Sequence, residues 1–267
     1  MPDIEQTHLP VAPWMVAHML RLPGTAPIAP ADWLQSDEVY ASQMALRDRL
    51  IAEREADVHA LLPGAEAAAR ELLATVLAHL DGAHGYARVD GAVRRPDGVT
   101  VPLEGPPLIV AGRLVQEDLC LLEKADGAHE HVLTGAILCF PSNWTLSEKL
   151  GRSLARIHLP VDRYDETVAR RVQRLFDLLR PEAPMIRANL LLYSKTDLYN
   201  PRHEFDRHRP DPGTASHVRV ERQTILRLPV TRAVVFSIHT YMVAASALNA
   251  EQTAKLAELR PGAFASA

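Results

Sequence analysis

Cysteine is nearly missing from this sequence: 267 residues carry two, Cys120 and Cys139, both inside apolar runs that read as strands. Two thiols cannot ligate an iron–sulfur cluster of the four-cysteine kind or build a structural zinc site. Any electrons the chain uses must therefore come through another cofactor or another chain. The two thiols read most simply as reduced core residues of a cytosolic protein. Excess basic charge is missing too: 29 Lys and Arg against 33 Asp and Glu give a net charge of −4, which removes the electrostatic ground for nucleic-acid binding. No apolar run is long enough to span a membrane, and the N-terminus lacks the basic-then-apolar pattern of a secretory leader, so a cytoplasmic protein is expected. No internal repeat or low-complexity tract is present. What remains is 47% hydrophobic and 23% charged residues, the balance of a globular protein able to bury a substantial core.

Residues 1–30 carry Pro10, Pro13, Pro23, Pro27 and Pro30 and read as an extended arm pinned by Trp14, Met15 and Leu20. A helix is expected from about Ser42 to Leu62, charged on one face, with Leu46, Leu50, Val58 and Leu61 on its buried side. Pro63-Gly64 breaks it. The spacing of Ala69, Leu72, Leu73, Val76, Leu77 and Leu80 predicts an amphipathic helix over 65–80. Gly, Pro and charge from Gly82 to Pro107 predict a loop with a short hairpin at Arg95-Pro-Asp-Gly98. Strands follow at 114–123 and 131–140, joined by the turn Ala125-Asp-Gly-Ala128. A helix capped by Asp165 carries the stripe Val168, Val172, Leu175, Phe176 and Leu179. Further strands are expected at 187–193, 218–228 and 232–243, with a polar loop over about 194–216 and a helical tail at 250–259. Strand, strand, helices, strand, strand, strand is an α+β order. A five-stranded antiparallel sheet with helices inserted between its second and third strands is the arrangement of a PAS-like domain, whose helices and inner sheet face enclose a ligand pocket. The expected organisation is an N-terminal arm, helices and connecting loop over 1–107, a PAS-like core over 108–245, and a tail over 246–267.

The chain is organised around the stretch from Cys139 to Pro160. Pro141 stops a strand, and Thr145 with Glu148 reads as a capping box, so a helix is expected to begin near Leu146. Pro160 ends it, because the residue before proline avoids the α region. His158 then stands at the last turn, above Ala155, Leu154 and Gly151 at i−3, i−4 and i−7. An imidazole over small apolar residues, with Arg152 and Arg156 nearby, suits the proximal side of a haem. From the local pattern alone, a helix-end dipole partner or a packed core histidine is the more ordinary reading.

Several motifs resemble one known family. They are Ala31-Asp-Trp-Leu34, Leu62-Pro-Gly-Ala-Glu66, Val115-Gln-Glu-Asp118, Phe140-Pro-Ser-Asn-Trp144, Glu148-Lys-Leu-Gly151 and Ile157-His-Leu-Pro-Val161. Arg187-Ala-Asn189, Glu221-Arg-Gln-Thr224, Arg227-Leu-Pro229 and Phe236-Ser-Ile-His-Thr-Tyr241 continue the series. Together they resemble the haem-dependent oxidative N-demethylases, of the dimethylamine monooxygenase α-subunit type, over most of the chain. The resemblance implies haem b in a PAS-like domain, O2 as co-substrate, and removal of an N-methyl group from a small amine as formaldehyde. It also implies electrons from NAD(P)H through a separate flavin and iron–sulfur reductase, and a hetero-oligomer. The rival reading is a PAS-like haem-binding or sensor protein without turnover.

With the resemblance included, His158 is the expected axial ligand to the iron. Arg222, Arg227, Trp144, Gly151 and Arg156 are the expected cofactor contacts. Arg222 and Arg227 have opposite strand parity, so only one can face a pocket, and Thr224, Leu226 and Leu228 on its face favour Arg222. His239, facing alternately with Ser237 and Tyr241, is the second choice of ligand or a proton donor to O2; His239 and Tyr241 are the catalytic candidates. Tyr193, Tyr241 and Glu221 are candidates for recognising a cation. The runs His203-Glu-Phe-Asp206-Arg-His208 and His129-Glu-His131 lack the helical two-histidine spacing of a zinc site and read as solvated loop residues.

Overall fold

In the computed structural model, which describes residues 4–160, 164–204, 206, 213–262 and 264, the alternating runs become one large antiparallel sheet. In chain order the elements are β1 (Ala26–Pro27), α1 (Tyr40–Glu53), α2 (Glu55–Val58), β2 (His59–Leu61) and α3 (Glu66–Leu80). Next come β3 (Ala87–Val89), β4 (Ala92–Arg94), β5 (Thr100–Pro102), α4 (Pro107–Gly112), β6 (Asp118–Glu123) and β7 (Val132–Ile137). Then follow α5 (Leu146–Lys149), α6 (Leu154–Ile157), α7 (Glu166–Leu178), β8 (Met185–Tyr193), β9 (His217–Arg227), β10 (Val234–Ala244) and α8 (Ala250–Leu259). Among the described residues no helix is long and apolar enough to cross a membrane.

The sheet has seven strands, in the order β1-β8-β9-β10-β6-β7-β2, and not five. The two additional strands come from the N-terminal part of the chain and close both edges: Ala26 faces Ile186, and His59 faces Ile137. The helix expected to reach Leu62 therefore ends earlier. At His59 the backbone turns extended and pairs with β7, a tertiary demand that outweighs local helical preference. The loop expected at 82–107 holds a separate three-stranded sheet, β3-β4-β5.

Helices cover both faces of the large sheet. On the first, α1, α3 and α4 bury Leu50, Leu72, Val76 and Leu108 against Leu119, Leu121, Ile137, Leu226 and Val235. On the second, α5, α6 and α7 bury Leu146, Leu154 and Phe176 against Cys120, Leu122, Ala136, Ile225 and Val234. Each set of strand residues keeps one parity, as a pleat requires. The N-terminal arm docks through Trp14, whose indole Nε1 donates to the Gln252 carbonyl of α8 at 2.9 Å. Leu20, expected to pin the arm, is exposed.

Two details fix the strand ends that lead to the helix-bearing stretch. Arg47, on the supposedly charged face of α1, is fully buried and donates to Asp118 at 2.7 Å and to the carbonyls of Gly112, Gln116 and Glu117. Asp118 in turn accepts the backbone amides of Cys139 and Phe140 at 2.7 and 2.9 Å. A buried guanidinium satisfied by one carboxylate and three carbonyls thus anchors the exit of β7. Gly112, at the end of α4, lets that helix approach β7: a Cβ there would lie 2.4 Å from Ile137 Cγ1. Gly112→Ala is expected to destabilise the protein by about 1–3 kcal/mol through overpacking, read as a lower urea midpoint; an unchanged midpoint would contradict the close packing.

Candidate functional site

The helix expected across 146–158 is broken in two. Thr145 Oγ1 donates to Glu148 Oε2 at 2.7 Å, so the two side chains meet each other and form no capping box on α5. After α5 the chain turns through Gly151 at φ +73°, and its amide donates to the Leu133 carbonyl of β7 at 2.8 Å. Leu154 N donates to the His131 carbonyl at 3.1 Å. Pairing with β7 supplies what a continuous helix would have lost. Gly151 is therefore an exposed left-handed turn residue away from the His158 face, and its lack of a side chain serves backbone conformation. Ser153 then caps α6, a single turn, and His158 is its C-cap.

His158 is held in one tautomer. Its Nδ1 lies 2.9 Å from the Leu154 carbonyl, which can only accept, so Nδ1 carries the proton and Nε2 keeps its lone pair. Nε2 has no hydrogen-bond partner among the described residues. The Tyr164 ring stacks on the imidazole, with centroids 4.2 Å apart and planes 14° from parallel. Burial lowers the pKa, partly offset by the Leu154 carbonyl and reinforced by the charges of Arg187 and Lys149. The ring is therefore neutral at neutral pH.

Beneath α6 the second sheet face changes character along its length. Met185, Ile225 and Phe236, in register across β8, β9 and β10, make an apolar row. Two residues further, Arg187 faces Gln223; two further still, Asn189 faces Glu221. Arg187 donates to Gln223 Oε1 and, at 3.0 Å, to the Pro23 carbonyl. Burial pulls the Arg187 guanidinium below its ordinary range, against the attraction of Glu221. Glu221 accepts from Asn189 at 2.9 Å, Arg219 at 3.1 Å and Gln223 at 3.2 Å. Arg187 makes no ion pair within 4.0 Å among the described residues, and sequence reasoning assigned it no role. The available signal was a charged residue at alternating positions of an otherwise apolar strand.

The other expected cofactor contacts are distributed differently. Trp144 packs with Leu146 and Leu154 on the His158 side. Arg227 faces that side too, but donates to the Phe176 carbonyl of α7 and, at 3.0 Å, to the Arg232 carbonyl. Arg222 faces the opposite side, donating to the Asp32 and Trp33 carbonyls and to Thr224. The parity argument separated the two arginines; the shared apolar neighbours picked the face turned away from His158. Arg156 pairs with Glu204 at 2.8 and 3.0 Å.

His239 and Tyr241 also lie on the face away from His158, so the sheet stands between the expected ligand and the expected catalytic pair. His239 is fully buried, with Nδ1 3.2 Å from Glu117 and Nε2 3.1 Å from Asp37. Both ring nitrogens are occupied, which removes it as a ligand in this arrangement. Tyr241 stands beside it, ring centroids 4.7 Å apart. Of the cation-recognition candidates, Glu221 and Tyr193 share the His158 side and Tyr241 does not.

His131, read as solvated, is buried, hydrogen-bonded to Gln173 and packed edge-on against Phe176 at 5.3 Å. His203 is exposed beside Glu148, whereas His208, like Val161 of the resemblance motifs, lies outside the described residues. Cys120 and Cys139 are buried and unpaired; burial pushes the Cys139 thiol up to about 12 and the Cys120 thiol higher, so neither offers a thiolate.

A neutral imidazole whose Nε2 has no partner among the described residues, its other nitrogen fixed by a carbonyl, is the donor arrangement that metal-binding histidines use. A guanidinium in the same neighbourhood, with no carboxylate partner among the described residues, suits an anionic substituent. The family model for the haem-dependent oxidative N-demethylase, alpha subunit-like proteins matches residues 24–260 of this chain.

Proposed function

Because the chain belongs to the haem-dependent oxidative N-demethylase, alpha subunit-like family, we propose that it is a haem monooxygenase subunit that removes an N-methyl group from a small amine. The observation that carries this reading is the Nδ1–H of His158 held by the Leu154 carbonyl, which leaves Nε2 with its lone pair and without a hydrogen-bond partner among the described residues. His158 would hold the iron of haem b, and Arg187 would pair with a propionate. The β6–β10 strands, with α5, α6 and α7 inserted between the second and third of them, support the PAS-like reading of the core.

Haem, when bound, supplies O2 activation at its iron. The chain's own residues do the rest. Tyr164 limits rotation of the His158 ring, so the ligand is pre-organised. The row of Met185, Ile225 and Phe236 makes the sheet face beneath α6 apolar and so disfavours water there. Glu221, oriented by Asn189, Gln223 and Arg219, is the acceptor for an ammonium, and Tyr193 shares its face. In balance, the methylamine, O2, two electrons and two protons give the N-hydroxymethyl amine and water; the former releases formaldehyde and the demethylated amine. The electrons come from NAD(P)H through a separate reductase chain.

The protein expressed with haem supply is expected to show a Soret band and, given electrons, to form formaldehyde only when dimethylamine or a related methylamine is added. A Soret band without formaldehyde for any small methylamine would place the chain among non-catalytic haem-binding or sensor proteins. A purified protein with no Soret band would end the haem reading.

A further inference from the structure

We propose that Glu204 is a positioning residue for His158, acting through Arg156 and Lys149 from a strap that crosses the outside of the histidine's helix. This rests on the reading of His158 as the axial ligand. α6 is one turn of four residues, too short to hold its own end in place. Its end is held from outside. Lys149 is buried, and its Nζ donates at 2.8 Å to the carbonyl of Ile157, the residue before His158. Glu204 lies 3.8 Å from that ammonium and accepts from Arg156 Nη1 through both carboxylate oxygens, at 2.8 and 3.0 Å. One carboxylate therefore restrains two of the residues that define the turn: Arg156 directly and Ile157 through Lys149.

The segment that delivers Glu204 is tied down along its length. Asn200 N donates to the Pro141 carbonyl at 3.1 Å, and Asn143 N to the Asn200 carbonyl at 3.0 Å. The Tyr193 hydroxyl, at the end of β8, lies 2.6 Å from Ser142 Oγ and accepts from Asn143 and Asn200 at 3.1 Å each. Arg219 holds the Leu198 carbonyl at 3.0 Å, and the Glu204 amide donates to Glu148 at 3.2 and 3.3 Å. The strap thus links β8 and β9 to the turn that carries His158. Removing the Glu204 charge leaves the Lys149 ammonium buried without the nearest carboxylate, and Glu148, the other carboxylate acting on it, is already engaged by Thr145 and His203. The ammonium then withdraws toward water, and the Ile157 carbonyl loses its donor.

The test uses full-length protein reconstituted with haem b, comparing wild type with Glu204→Ala, Glu204→Gln and His158→Ala. The readouts are the haem dissociation constant from Soret titration, the iron–histidine stretching band of the ferrous protein, and the thermal midpoint. Glu204→Ala is expected to weaken haem retention by roughly 10–100-fold, as loss of an outer partner of a ligating histidine does, and to shift or broaden the stretching band. Glu204→Gln, which keeps an acceptor for Arg156 but no charge, should fall between. Wild-type retention and an unchanged band in Glu204→Ala overturn the proposal even if its thermal midpoint drops. If Glu204→Ala does not fold, Lys149→Met decides: a shifted band supports the proposal and an unchanged band overturns it. Wild-type haem binding by His158→Ala is a separate outcome, and removes the ligand reading itself.

Discussion

His158→Ala is expected to lose the Soret band of the haem-reconstituted protein while keeping its far-UV circular dichroism and most of its thermal stability. The imidazole contributes little to the fold: it ends a four-residue turn, keeps some accessible surface and, among the described residues, hydrogen-bonds only to its own helix through Leu154. Outside its own turn the ring stacks on Tyr164. A first coordination bond is worth more than the outer partners whose loss costs roughly 10–100-fold, so retention should fall by at least that much. His158→Gly sharpens the test, because imidazole added to the buffer can occupy the vacated space and restore a histidine-like spectrum. The same band in His158→Ala as in wild type, at the same haem affinity, would exclude His158 as the ligand. The natural rival, His239, makes the contrast informative: both its nitrogens face carboxylates on the other side of the sheet.

The parts of the fold legible in the sequence are those where burial of one face imposes a period. α8 occupies 250–259 as expected, and Asp165 caps α7 by accepting the Val168 amide at 2.8 Å. β8, β9 and β10 fall within two residues of their expected bounds, because they alternate over nine to eleven residues. β9 also shows where the period stops informing. Both sides of the sheet are covered, so Arg219, Glu221, Arg222, Gln223 and Arg227 are all buried, and alternation cannot say which side faces His158. That depends on partners far away in the chain: the Asp32 and Trp33 carbonyls for Arg222, and the Phe176 carbonyl for Arg227. The break between α5 and α6 was hidden for the same reason, since it exists to let 151–154 pair with β7. The place of His158 at the end of its turn was legible because Pro160 fixes that end wherever the turn begins.

His239→Ala is expected to be the most destabilising single substitution discussed, at about 3–5 kcal/mol, since breaking a buried ion pair leaves the remaining charge uncompensated. For a chain of this size that lowers the melting midpoint by roughly 6–20 °C. Here two carboxylates depend on one imidazole. Glu117 also accepts the Gln35 amide at 2.8 Å, and Asp37 accepts from Gln116 and Gln6 at 2.9 and 2.7 Å, so the network joins the N-terminal arm to β10. Burial alone would lower the His239 pKa, but the hydrogen bonds and charges of Asp37 and Glu117 outweigh it and raise it to about 9. The same contacts hold Asp37 below the ordinary carboxylate range against its own burial. The sign follows from linkage: a folded-state pKa raised above the unfolded value near 6.5 gives stability fully present below that value and lost as pH rises through about 9. The urea midpoint of the wild type is therefore expected to fall between pH 6.5 and 9.5, and that of His239→Ala to show a smaller fall over the same window. A wild-type midpoint that does not change across it would mean that the folded protein takes up no extra proton at this cluster, so that His239 is neutral beside two ionised carboxylates.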